Sequence, residues 1–422
     1  MEAKPTKYRN VCLFEDTKHS DLKPLSHCRP AFDIRCGIYT PLERTRLFFS
    51  GANLSARVRP GFEKLALQCY GLGQAGNEPV ELFINASALL GSDIAASIET
   101  FQGRDCVFIA NGAVAACLCS SDGFRSKVID AIGSGEIDAV SGSADVMECD
   151  VPFLAHAWDA VRHNSTMLHR DAKRFMPGCA ADDAVIAPSV EIVDPRKVSI
   201  GSRARIGPGV VIDASDGPVI IEDDAVVMPQ AVIIGPAFIG RGSRIKIAAK
   251  IYEGTSIGPV CKIGGEVEES VFHSYANKQH EGFVGHSYLA PWTNLGADTN
   301  TSDLKNTYSP VAMTIEGRKY ETGMQFLGIV AADHSKSAIN TMFNTGTCIG
   351  VGCNVFGAGF PPKFLPSFSW GGAETLEEYD INRFLETARI VMKRRGIELH
   401  DTEVEVYRNA FDNTAMQREK FQ

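Results

Sequence analysis

The feature that most constrains this 422-residue chain is a period of six. Ile221, Val227, Ile233, Ile239, Ile245, Ile251, Ile257 and Ile263 are all aliphatic, without a break. Six is even, so in an extended chain every one of these anchors points the same way. On an α-helix six residues advance by roughly 240°, which would scatter the anchors over three faces. A helix is therefore excluded. What remains is a coil of short strands, each hexad supplying one flat side and one inward aliphatic plug. Self-similarity at a fixed short period marks a solenoid, in which no coil buries its plugs alone and stacking supplies the stability.

The rhythm has flanks. Ile186, Ile192 and Val198, then Ile200, Ile206 and Ile212, carry a two-residue slip that reads as a loop, and 213–218 reads as a second bulge. Pro177-Gly178 breaks what precedes and opens the repeat. The chain is long enough for two or three domains and a large core. Its net charge of −9 argues against general nucleic-acid binding. None of the twelve cysteines forms a CxxC pair, so they read as reduced, buried fillers. No N-terminal apolar segment follows a basic start, and no run approaches the roughly 18 apolar residues of a membrane span. A cytoplasmic protein with no membrane or nucleic-acid partner is expected.

Before the repeat, the pattern is α/β. Val11-Cys12-Leu13-Phe14 is a short buried strand that runs into Glu15-Asp16, and a second strand, Leu82-Phe83-Ile84-Asn85, ends on Asn85. Polar groups at the C-terminal ends of such strands are where open α/β sheets bind ligands. Residues 106–110 and 113–118 bracket Asn111-Gly112, a hairpin signal. Helices are expected within 34–48, over 123–132 and over 158–174.

After the repeat the aliphatic filler thins out. The chain reads Tyr275-Ala276-Asn277-Lys278-Gln279-His280-Glu281-Gly282-Phe283-Val284-Gly285-His286, then Trp292-Thr293-Asn294-Leu295-Gly296-Ala297-Asp298-Thr299-Asn300, then Ser302-Asp303-Leu304-Lys305. His, Asn, Lys and Trp gathered where plugs are lost suggest a site grafted on the scaffold.

The hexad stretch resembles the left-handed parallel β-helix of hexapeptide-repeat acyltransferases, with three hexads per turn. More of the chain is similar to an alternative bacterial family, the bifunctional N-acetylglucosamine-1-phosphate uridyltransferase/glucosamine-1-phosphate acetyltransferases. That resemblance rests on Asp16, the run Pro24-Leu25-Ser26-His27-Cys28-Arg29-Pro30, Arg35, Gly37, Asn85, the spacing of Trp158, Asn164 and Asp171, and the runs from Tyr275 to Tyr308. It implies an α/β nucleotidyltransferase-like (Rossmann-like) domain over 1–175, a left-handed β-helix acyltransferase domain over 176–360, and a strap and helical tail over 361–422. It also implies a homotrimer.

Further implications concern chemistry. Acetyl transfer from acetyl-CoA to the amine of an amino-sugar 1-phosphate, such as glucosamine 1-phosphate, needs a base, because an ammonium is not a nucleophile; a neutral histidine near pH 7 serves. The resemblance assigns that role to His280. It places an oxyanion-stabilising backbone N–H near Ala297 and a sugar contact at Asn294. Lys250 and Lys278 would neutralise the sugar phosphate, and Trp292 would pack or form a CoA or sugar platform. In the first domain, Arg29 and Arg35 would face the phosphates of a nucleoside triphosphate, with Asn85 at the strand end and Asp16 holding Mg²⁺. An ion pair with Asp33 is the other reading of Arg29. The product would be UDP-N-acetylglucosamine, for envelope synthesis.

The chain departs from the commoner bifunctional type, whose two tyrosines and an asparagine grip the sugar phosphate. Counted from His280, those places hold Phe283, Leu304 and Asp303. The Gly-rich phosphate loop of ordinary nucleotidyltransferases is also missing. Other readings stay open. One is a sugar-1-phosphate nucleotidyltransferase whose β-helix serves only assembly. Another is a non-catalytic, sugar-nucleotide-binding regulatory trimer. A zinc site on His273, His280 and His286 would need three converging ligands; otherwise His273 and His286 read as structural or rim residues.

Beyond 333–359, where Ile339, Ile349 and Val355 suggest that the coil resumes, Pro361, Pro362 and Pro366 are expected to stop it. Phe364, Phe368 and Trp370 would form an apolar strap. Ile381, Leu385, Ala388, Val391 and Met392 follow helical spacing and end in Lys393-Arg394-Arg395-Gly396, a helix-end signal.

Overall fold

The computed structural model describes residues 6–73, 79–101 and 103–419. The chain divides into two compact units, Met1–Ile34 with Tyr39–His156, and Arg35–Ile38 with Ala157–Gln422. The division falls at 156/157, upstream of the boundary near 175 expected from the sequence.

The first unit is built on one six-stranded sheet. Its strands are β1 (Asn10–Phe14), β2 (Asn53–Arg57), β3 (Leu82–Asn85), β4 (Cys106–Ala110), β5 (Ala113–Leu118) and β6 (Asp145–Glu148), in the order β2-β1-β3-β5-β4-β6. β1 runs parallel to both β2 and β3, whereas β5 is antiparallel to β3 and β4, so the sheet is mixed. Val11 to Phe14 and Leu82 to Ile84 are almost wholly buried, as strands covered on both faces require. The β4–β5 hairpin turns on Asn111 and Gly112, whose φ values of 51° and 77° give the paired left-handed geometry favoured by an Asn-Gly turn. Helices Pro41–Phe48, Glu63–Tyr70, Ser92–Thr100 and Asp122–Ser134 flank these strands in sequence.

The second unit is a parallel β-solenoid. Its coils place short strands in one sheet of nine strands, two of six and, further along, sheets of four and two. The hexad anchors stack as the period demands: Val227 on Ile245 on Ile263, Ile233 on Ile251 on Val267, and Ile239 on Ile257 on Phe272. All of these are essentially inaccessible to solvent. The slip between Val198 and Ile200 has a simple cause. On the nine-stranded face the strand is three residues long, so both Val198 and Ile200 are buried, and they pair with Val219 and Ile221.

Three expectations change. The coil does not stop at the prolines: Phe364–Leu365 pairs with Thr347–Ile349, and Ser369–Gly371 pairs with Asn354–Val355. Prolines sit at corners here, where no ladder donor is needed. Ile339 is not a plug, being 68% exposed, although Ile349 and Val355 are buried. The 302–328 stretch leaves the coil and carries the hairpin Ala312–Ile315/Arg318–Glu321. Helix Ile381–Lys393, capped by Asp380, buries Phe384, Leu385, Ala388 and Met392, and a second helix, Asp401–Asn413, follows. The aromatic ring of Phe384 meets Phe368, His334 and Tyr407 edge-on.

Several residues read as nucleotidyltransferase signature belong to this second unit and hold it together. The Asn164 side chain accepts from Gly37 N (2.7 Å) and Ser256 Oγ (2.9 Å) and donates to Gly254 O (2.6 Å). Asp171 accepts from Ile38 N at 2.9 Å. Gly37, at φ 73°, has no room for a side chain: a Cβ would lie 2.5 Å from Asp171 Oδ2 and 2.7 Å from Met167 Cβ.

Candidate functional site on the solenoid

Two of the residues expected in the first unit, Asp16 and Asn85, come together at the ends of β1 and β3. These strands are neighbours in register, Phe14 beside Asn85, and Asn85 Nδ2 donates to Asp16 Oδ2 at 3.0 Å. The other Asp16 oxygen accepts from Lys18 N, capping the short helix Thr17–Leu22. Among the described residues no group of three or more His, Cys, Asp or Glu side chains gathers as metal ligands. Magnesium at Asp16 would therefore draw most of its shell from phosphates and water.

Arg29 is buried and ion-paired to Asp33, which also accepts from the Tyr70 hydroxyl at 2.7 Å. The residue that organises this corner was not singled out by the sequence. Arg59 bonds the buried Glu15 carboxylate at 2.5 Å and donates to the Ser26 and Arg29 carbonyls. Arg35 lies in the second unit. It is 3% exposed, its Nε donates to His273 O at 3.0 Å, and its Nη1 donates to Ile38 O. A guanidinium spent on backbone carbonyls inside the fold does not face a nucleotide.

On the solenoid, register brings the central residues together. Asn277 bridges Asn294 on the next coil, and Asp298 N donates to Glu281 O at 3.0 Å. His280 and Ala297 therefore occupy equivalent corner positions on adjacent coils. The His280 side chain is exposed and has no hydrogen-bond partner among the described residues, and the Ala297 N–H likewise has no acceptor among them. An exposed imidazole on one coil and an N–H without an acceptor among the described residues on the next are the two kinds of group that a base and an oxyanion donor require.

Lys278 lies elsewhere than expected. It pairs with Ile263 at an inward position of the ladder and is fully buried. Its Nζ donates to His280 O (2.6 Å) and Glu281 O (3.1 Å), tying down the turn that carries His280. Burial pushes this ammonium down to about 8. An ammonium enclosed by the coil cannot meet a sugar phosphate without leaving it. Lys250 is exposed and lies 3.6 Å from the Glu281 carboxylate.

A second cluster surrounds His286, at a corner with φ 44°. Its Nδ1 is 2.8 Å from Asp303 Oδ2, and its ring stacks on Phe326 at 5.1 Å. Asp303 and Phe326 both come from the 302–328 excursion. Gly285 makes the space, because a Cβ there would meet Asp303 Oδ2 at 2.2 Å and the Phe283 ring at 2.5 Å. Burial raises the Glu268 and Glu269 carboxyl pKa values, and His286 opposes the shift. His273 is buried with Nδ1 3.0 Å from Ser274 Oγ. The three histidines thus have separate surroundings.

Asn294 and Trp292 line a cavity of about 330 Å³ together with Asn277, Gln279 and Tyr275. Trp292 lies between Tyr275 and His334 in a stack, with centroids 4.2 and 5.9 Å away. Each ring sits at a left-handed corner, with φ of 55°, 65° and 58°. Trp292 is 8% exposed, so most of its surface packs.

With this geometry in place, comparison with known proteins is specific in one region. Residues 11–179 match the sugar nucleotidyl transferase family. Two curated relatives are similar over shorter stretches. The bifunctional sugar-1-phosphate nucleotidylyltransferase/acetyltransferase of Sulfurisphaera tokodaii is 32% identical over 97 residues, 22% of this chain and 24% of that protein. The bifunctional protein GlmU of Methanocaldococcus jannaschii is 29% identical over 129 residues, 31% of this chain and 26% of that protein. The matched stretches thus span about a quarter of each relative. Among solved structures, a UDP-N-acetylglucosamine acyltransferase from Campylobacter jejuni is 12% identical, covering 54% of this chain and 95% of its own, with a TM-score of 0.30. That likeness is too loose to bear on function. The resemblance drawn from the sequence is upheld for a sugar nucleotidyl transferase domain over residues 11–179. No described helix is long and apolar enough to cross a membrane.

Proposed function

We propose that the chain is a two-part enzyme of sugar-nucleotide biosynthesis whose solenoid N-acetylates an amino-sugar 1-phosphate, with glucosamine 1-phosphate as the first acceptor to test. The observation that supports this reading is the register that stacks His280, whose side chain is exposed, under Ala297, whose N–H has no acceptor among the described residues. In the proposed reaction the acceptor's neutral amine attacks the thioester carbonyl of acetyl-CoA. His280 takes the amine proton as the C–N bond forms. The Ala297 N–H donates to the oxyanion of the tetrahedral intermediate. Collapse breaks the C–S bond, and the thiolate leaves as CoA after taking up a proton. Lys278 acts through the backbone, holding the His280 turn, and Asn294 offers an amide to the sugar from the cavity wall.

The first unit would then transfer a nucleotidyl group from a nucleoside triphosphate to the phosphate of the N-acetylated sugar 1-phosphate, breaking the α–β phosphoanhydride bond and releasing pyrophosphate; with UTP the product is UDP-N-acetylglucosamine. The family match over 11–179 supports that half. Asp16 and Asn85, side by side at the strand ends, are its candidate polar groups, and Mg²⁺ would enter with the triphosphate. A homotrimer working in the cytoplasm suits this reading.

The test is release of free thiol from acetyl-CoA with glucosamine 1-phosphate as acceptor. His280→Ala should lower kcat by about two orders of magnitude or more, the scale of general-base catalysis, while the melting temperature stays put, because the side chain is exposed. No thiol release by the folded wild-type protein, with other amino-sugar phosphates also tried, would refute the acetyl-transfer half.

A further inference from the structure

The cavity beside Asn294 has a charge pattern that the His280–Ala297 pair does not account for. Lys262, Lys336, Arg394 and Arg395 all line it, and no carboxylate does. They come from two places. Lys262 and Lys336 stand on one face of the solenoid, in the ladder Lys262–Asn277–Asn294–Lys336 that four coils build. Arg394 and Arg395 follow the helix Ile381–Lys393. Arg395 closes the gap, with Nη2 donating to Asn277 Oδ1 at 2.8 Å and Nη1 to Val260 O at 3.4 Å.

Like charges gathered this way oppose folding unless something answers them. The cluster depresses its own protonation: the Lys262 pKa is lowered by burial first, then by Arg395, Arg244, Lys246 and Arg394 in turn, with no carboxylate opposing. Lys336 Nζ donates to His334 O at 2.9 Å, which satisfies a proton and no charge. Amides from Asn277, Gln279 and Asn294 stand among the cations. A concave site of about 330 Å³, lined by cations and amide groups and with a tyrosine ring on one wall, fits the size range of small-molecule pockets.

We infer that this cavity is a binding site for a phosphate-bearing small molecule, its phosphates held between the Lys262–Lys336 face and the Arg394-Arg395 helix end. The lysines supply point charges, the exposed Arg394 supplies a forked donor, and Arg395, its fork spent on Asn277 and Val260, adds charge to the wall. The inference rests on the acetyl-transfer reading, which places the sugar against Asn294 of the same cavity, but pyrophosphate binding needs no turnover, so its failure and the failure of that reading are told apart. Two sources share the chemistry: the nucleotide end of CoA, and a sugar phosphate.

The experiment is calorimetric titration of the full chain with inorganic pyrophosphate at low salt. Saturable binding is expected that weakens at least tenfold in Lys262→Gln and in Arg394→Gln, and further in the double variant. Arg394 is exposed and Lys262 lies at the surface of its ladder, so neither change should disturb folding, and unchanged melting temperatures would establish that. Lys262→Arg should keep most of the binding. Displacement of pyrophosphate by CoA, or by glucosamine 1-phosphate, would identify the source. Absence of binding to wild type, or binding that the double variant leaves intact and that therefore belongs elsewhere on the chain, would overturn the inference.

Discussion

Lys278→Met isolates one buried charge. Lys278 occupies an inward place that Val227, Ile245 and Ile263 fill on preceding coils, and burial pushes its pKa from 10.5 down to about 8. Below pH 8 the ammonium is protonated in both the folded and unfolded chain, and its confinement weakens the fold. Between about 8 and 10.5 the unfolded chain holds a proton that the folded chain has released, so stability rises with pH. Integrating the two titrations from pH 7 to 9.5 gives about 2 kcal/mol. Methionine has similar length and no titration. It leaves the His280 carbonyl without its donor, a penalty of about 1–3 kcal/mol that does not vary with pH, while the Glu281 carbonyl keeps the Asp298 N–H. The stability of wild type minus that of the variant should therefore climb by about 2 kcal/mol over that range. Taking the difference cancels the buried cysteines, whose raised pKa values act in the opposite direction. The assay is urea unfolding of the full chain by circular dichroism at several pH values, read on the transition that the substitution moves. Parallel pH profiles for the two proteins would refute the reasoning and put the ammonium in water, where it could reach a ligand.

Arg35→Ala should destabilise the solenoid unit by about 3 kcal/mol or more, because a buried guanidinium is lost from the His273 and Ile38 carbonyls; a shift in nucleotide affinity with unchanged stability would instead return Arg35 to a substrate role. In the native protein only Cys69 and Cys179 should react quickly with a disulfide reagent at pH 8, since they are the exposed thiols and burial pushes Cys106 and Cys149 up to about 11 and Cys119, Cys261 and Cys353 up to about 12; fast modification of more than these two would contradict the packing.

Much of the fold was legible because its signals are local. The hexad period alone dictates which side chains point inward, and the structure stacks Val227, Ile245 and Ile263 accordingly. The Asn111-Gly112 hairpin and the helix ending before Arg394 are likewise short-range events. The expected stop at Pro361, Pro362 and Pro366 fails for a physical reason. Proline interrupts a ladder only where an N–H is needed, and whether a corner or a strand falls on it depends on the coil below.

The candidate site divides in the same way. Which residue types gather between Tyr275 and Asn300 is sequence; which of them face water is not. Lys278 and His280 are two apart in one run, yet the ladder turns one inward and leaves the other exposed. Arg29 and Arg35 share a motif, and each is spent on its own neighbours, Asp33 for one and the His273 carbonyl for the other. His280 and Ala297 fall in register because seventeen residues make one coil at that height, and His286 meets Asp303 where the 302–328 stretch departs from it. By itself the sequence determined the period, the plugs and the chemistry on offer. The tertiary structure decided which polar groups are spent on the fold and which are left for a ligand, because burial and hydrogen-bond satisfaction depend on what the adjacent coil presents.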